Sequence, residues 1–124
     1  MTVSRRTILV AMPVGVAAAA TACRDRKPPR PDPDAAALAA ARDTEQRLVA
    51  SYDAAGDTRR RDVHAAHLAA LGGTMPSALP QVPADPRGLV RASVPTLQTA
   101  AIGAHSGHVA AVLASIAAAH LAGA

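Results

Sequence analysis

Four side chains in this sequence have the types and spacing to share one chemistry: Glu45, His64, His67 and His120. Glu45 lies in a run where Leu38, Ala41, Glu45, Leu48 and Tyr52 recur at helical intervals, so it falls inside an apolar seam. His64 and His67 are three residues apart, which turns both rings to one side of a helix. His120 closes another seam, through Val109, Leu113 and Ile116. A buried carboxylate without a partner is costly, so it is protonated, paired or bound to a metal. Carboxylates and imidazoles on facing helices are how bundles hold metal ions, and iron, manganese and zinc all suit such donors. A plainer reading uses the same residues. In it Glu45 pairs with His67 or with Arg60 and fixes helix register, while His64 faces solvent. Spacing leaves both readings open.

No other catalytic constellation is present. Ser51, Ser77, Ser93, Ser106 and Ser115 lack a nucleophile-elbow context, and no glycine-rich loop could cradle a phosphate. His105 and His108 flank an expected turn and read as surface residues. Cys23 is the only cysteine, which excludes an intrachain disulfide and a cysteine metal cluster.

The elements that must carry these residues are helical. Of 124 residues, 50% are hydrophobic and only 1% aromatic, with no Phe or Trp. Alanine supplies most of the apolar content, which favours helix over strand. The length excludes a large α/β enzyme and implies one domain. The missing aromatics remove the stacking platforms of single-strand and RNA binders. Net charge is +4 with two of the arginines in the leader, so nucleic acid is not an expected partner.

Four helices are expected. Asp32 caps the first, with Pro33 at its opening position and Gly56 beyond its end. Thr58 starts the second, which runs to Leu71 and stops at Gly72-Gly73. Arg60, His64, His67 and Leu71 share one stripe of it, with Val63, Leu68 and Ala70 alongside. Residues 75–86 contain four prolines and read as a loop crossing between helix pairs. The third helix covers about 87–104, buries Val90, Val94, Leu97 and Ala101, and is kinked or restarted at Pro95. The fourth covers about 108–121. Together they predict an all-α, up-down four-helix bundle over residues 34–124. Its core is thin, because alanine buries little area. No clear stop ends the last helix at Gly123-Ala124, so self-association through a second copy is an expectation.

Residues 1–22 read as an export signal: Arg5 and Arg6, a weakly apolar run, then small residues. The run is shorter than the ~20 residues a bilayer requires. Ser4-Arg5-Arg6-Thr7-Ile8-Leu9 resembles a twin-arginine signal. Cys23 follows Ala20-Thr21-Ala22, which resembles a lipobox and reads equally as an ordinary cleavage site. On the lipobox reading Cys23 is lipidated and anchors the protein to the outer face of the cell membrane; otherwise the protein is secreted. Residues 23–33 form a basic, proline-rich linker, stiff enough to hold the bundle off that surface.

Three stretches resemble a ferritin-like family of unknown function found in exported actinobacterial proteins. Thr44-Glu45-Gln46-Arg47-Leu48-Val49-Ala50-Ser51-Tyr52-Asp53-Ala54 is similar to its first-helix motif. His64-Ala65-Ala66-His67-Leu68-Ala69-Ala70-Leu71 is similar to its second, and Val112-Leu113-Ala114-Ser115-Ile116-Ala117-Ala118 to the start of its last. The resemblance implies a ferritin-like bundle in which Glu45 matches the first metal-binding Glu and His67 the His. His64 stands where the second Glu would be. In the last helix His120 replaces a Glu or, with a gap, matches the His. The third helix offers only Gln98 in place of a Glu. That set is too poor in carboxylate for a di-iron oxidase. The expectation is therefore a non-enzymatic binding or structural protein of the cell envelope with a degraded metal site. The alternative is a metal-binding oxidoreductase or metal-storage protein.

Overall fold

The computed structural model describes residues 28–123. The export signal expected over 1–22 and the anchor Cys23 lie outside the described residues. The linker is irregular from Pro28 to Asp32 and turns at Pro33 and Asp34. Four helices follow: α1 (Ala35–Ala54), α2 (Thr58–Ala70), α3 (Pro86–Gly103) and α4 (Gly107–Gly123). No strand occurs among the described residues, so the all-α expectation holds, and the helices pack as a four-helix bundle. None of the described helices is long and apolar enough to cross a membrane.

Local sequence accounts for most of the boundaries. The Asp57 carboxylate accepts from the Arg60 amide at 3.1 Å and starts α2. Asp85 accepts from the Gly88 amide at 3.1 Å, with Pro86 in the first turn of α3. Gly56 and Gly72 have φ of 74° and 68°, the left-handed backbone that closes α1 and α2. Two boundaries differ from expectation. α1 begins at Ala35, because Asp32 is occupied in a turn that accepts from the Asp34 amide at 2.9 Å. α3 also runs unbroken through Pro95. Arg91 and Pro95 both sit on its exposed face, where the carbonyl that proline cannot serve is open to water.

The helix directions differ from a simple up-down order. Arg61 pairs with Asp53, and Arg42 donates to the Leu71 carbonyl at 2.8 Å, so α2 runs antiparallel to α1. Val90 packs with Leu48 and Tyr52, Leu97 shares a cluster with Ala41, and His105 lies beside Asp34. α3 is therefore antiparallel to α1 as well, and α4 returns antiparallel to α3. The order is up, down, down, up. The proline-rich segment after α2 makes this possible by climbing back along α1, where the buried Ser51 hydroxyl donates to the Pro83 carbonyl at 2.8 Å.

The core is layered. One apolar cluster holds Ala41, Leu71, Leu97, Leu113, Ile116 and Ala117. A second holds Leu48, Tyr52 and Val90. Between them, one helical turn from each, lies a layer that is not apolar.

Candidate metal centre

Glu45, His120 and Ser93 occupy that middle layer, at 0%, 2% and 7% exposure. His64 is buried beside them and His67 is half-buried. Each helix supplies its part by the periodicity that packs it. Glu45 lies one turn from Ala41 and from Leu48 on α1. His64 and His67 bracket the inner stripe of α2. His120 follows Ile116 on α4, and Ser93 stands between Val90 and Leu97 on α3.

The four expected donors come together. One ligand atom from each of Glu45, His64, His67 and His120 can be chosen so that all lie within 4.8 Å of one another. His64 Nδ1 lies 2.9 Å from Glu45 Oε2 and donates to it, since an ionised carboxylate only accepts. The Tyr52 ring stacks on His64, with centroids 5.1 Å apart and planes 13° apart. His67 Nδ1 stands 3.5 Å from the same oxygen, and His120 Nε2 stands 3.0 Å from Glu45 Oε1. Neither of the last two contacts has the alignment of a hydrogen bond. Glu45 Oε1, His67 Nδ1 and His120 Nε2 are buried and have no hydrogen-bond partner.

Ser93 explains the state of His120. Its hydroxyl donates to the Val90 carbonyl at 2.7 Å, and its oxygen lies 2.7 Å from His120 Nδ1. A hydroxyl has one proton. With that proton on the carbonyl, His120 Nδ1 is the donor to Ser93, which leaves Nε2 to face Glu45, as a lone pair in the neutral ring and as an N–H in the imidazolium. A lone pair facing a carboxylate oxygen at 3.0 Å is repulsive unless a positive charge lies between or beside them. Burial by itself would raise the Glu45 pKa. The imidazoles of His120, His64 and His67 outweigh it and hold the carboxyl as the anion, well below the ordinary range.

The donor chemistry fits a metal ion. Glu45 Oε1, His67 Nδ1 and His120 Nε2 belong to one close cluster of donors, are buried, and are otherwise unsatisfied. The outer nitrogen of His120 is tied to a hydroxyl, the kind of support that orients metal-ligating imidazoles. A cavity of about 90 Å³ adjoins the cluster, with Arg60 in its wall. A larger groove of about 510 Å³ between α1 and α3 contains no titratable side chain and plays no part in this chemistry.

Several expectations need correction. His64 does not face solvent: it is 6% exposed and bonded to Glu45. Arg60 does not pair with Glu45; it lies at 3.5 Å from Asp57, one turn back on the outer side of α2. Gln98 is exposed and does not stand in for a ligand. His105 and His108 are exposed, as expected. Ser93, grouped in sequence with serines that lack a catalytic context, is buried against His120. Its only signal was a place in the seam between Val90 and Leu97, visible once that seam is traced. Comparison with family models, curated proteins and solved structures finds no match.

Proposed function

We propose that this chain is a cell-envelope protein that binds one divalent first-row metal ion between its helices. One observation carries the reading: within one cluster of four donors, three buried atoms, Glu45 Oε1, His67 Nδ1 and His120 Nε2, have no hydrogen-bond partner. A paired, self-satisfied core would leave no such atoms, because an unmet buried polar group costs about 1–3 kcal/mol. Two imidazoles and one carboxylate with open positions suit iron(II), and zinc sites use the same set. His64 holds the second carboxylate oxygen and is the fourth donor available. A single carboxylate cannot support two ions, which favours binding of one metal over di-iron oxidation. When bound, the ion would supply Lewis acidity; the chain supplies the donors, their orientation and a dry layer around them.

The single crossover along α1 is the arrangement of ferritin-like bundles and supports that kinship. The envelope location rests on the twin-arginine-like Arg5-Arg6 and on Cys23, which we take as the lipidated residue after the export signal. The membrane is then the partner of the anchor.

The test is metal analysis of protein purified without chelator and then equilibrated with iron(II), manganese or zinc. One ion per chain is expected, and its loss in Glu45→Ala. Absence of stoichiometric metal under all three conditions would overturn the reading. The anchor is tested separately by the intact mass of membrane-fraction protein with and without Cys23→Ala. An acyl mass increment lost in the variant is expected; equal masses and equal retention would defeat it.

A further inference from the structure

We infer that the centre takes up a small exogenous anion in the cavity beside His64, His67 and His120. This rests on the metal-binding reading and extends it to a ligand class. Three observations lead there. The first is charge. A divalent ion held by one carboxylate and neutral imidazoles keeps one unit of positive charge, and no second Asp or Glu joins the donor group among the described residues. A net charge in a buried layer is costly unless a counter-charge reaches it.

The second is space. The cavity against the three imidazoles measures about 90 Å³. A space of that size holds a few waters and suits an anion of a few heavy atoms better than an organic ring. The third is the wall. Arg60 and Tyr52 line the cavity, so a guanidinium and a phenol are the donors an anion there would meet. Among the described residues Arg60 is held only by Asp57 at 3.5 Å, and both side chains are substantially exposed, at 48% and 36%. A contact of that kind is weak, so the guanidinium is free to turn inward. The remaining acids near this end are engaged elsewhere: Asp53 and Asp62 with Arg61.

The experiment uses the full chain loaded with cobalt(II), whose visible bands report changes in its ligands. Titration with azide is expected to shift those bands saturably, with sodium benzoate leaving them unchanged. Arg60→Gln is expected to raise the azide dissociation constant about fivefold to tenfold, a range set by one half-exposed charged hydrogen bond. Cobalt stoichiometry should stay the same. Arg59→Gln, exposed on the same helix and outside the cavity wall, should leave the azide constant unchanged. Cobalt uptake with bands indifferent to azide would overturn the anion position and leave the metal centre standing. Azide binding equal in Arg60→Gln, or benzoate binding as tightly as azide, would also overturn it. Failure to take up cobalt would overturn the centre and this inference together.

Discussion

Two carboxylates are buried among the described residues, and they have opposite surroundings. Asp34, at the start of α1, accepts from the backbone amides of His105 at 2.8 Å and Ser106 at 2.9 Å. Each of its oxygens has a donor with a fixed proton, and together they clasp the α3–α4 turn to the first helix. Glu45 has imidazoles instead, and one of its oxygens has no proton directed at it. Both groups are held below their ordinary pKa, Asp34 by the His105 and Ser106 amides and Glu45 by three rings. The contrast separates two uses of a buried charge. Saturation by backbone locks a fold in place. Incomplete saturation by side chains that can give up protons leaves room for a cation.

That distinction breaks most sharply at Glu45 itself. Glu45→Gln keeps the shape of the side chain and removes its charge, and it should abolish stoichiometric metal binding in elemental analysis. In the parent protein, metal at a hundredfold excess over its dissociation constant adds about 2.7 kcal/mol, a melting shift of about 10 °C or more for a domain this size. Calorimetry should find that shift absent in Glu45→Gln. Asp34→Asn should keep the shift in full.

A smaller effect is expected at Ser93. Replacing it with Ala removes the acceptor that fixes the His120 ring. Metal affinity should fall roughly tenfold to a hundredfold, measured by competition with a chromogenic chelator. An unchanged affinity would show that His120 needs no outside support.

Asp34 sharpens the comparison through pH. Its folded pKa lies below the ordinary 3.8. The stability it contributes is therefore complete above the unfolded value and is lost as pH falls through the lower folded value. Urea midpoints followed downward from pH 5 should fall less steeply in Asp34→Asn than in the parent, from a lower starting point. The smallest effect belongs to His105, whose side chain is 69% exposed. His105→Ala should leave metal stoichiometry unchanged and stability within about 0.5 kcal/mol. Loss of metal there would mean that histidine content, not the buried layer, governs binding.

Much of the layered core was legible before any coordinates. The spacing of Leu38, Ala41, Glu45, Leu48 and Tyr52 predicted an inward seam, and four of the five are buried. The same rule carried His120 inward behind Ile116. It says less of Val63, placed beside the histidine stripe of α2 and 48% exposed. Periodicity reports a face and says little about how far along its length that face stays covered. Ser93 and Asp34 were hidden for another reason. Their partners lie 27 and 71 residues away, and a serine or aspartate at a helix start has ordinary local explanations. The direction of α3 was within reach, since a long proline-rich connection has the length to return along a helix before the next one begins.

The donors at 45, 64, 67 and 120 are drawn from both helical hairpins, and His120 comes from the last of the four helices to leave the ribosome. While α4 is still unmade, Glu45 has only the two α2 rings for company, and the pocket has no fourth wall. An ion that takes all four donors can therefore be held only once the final helix has come home.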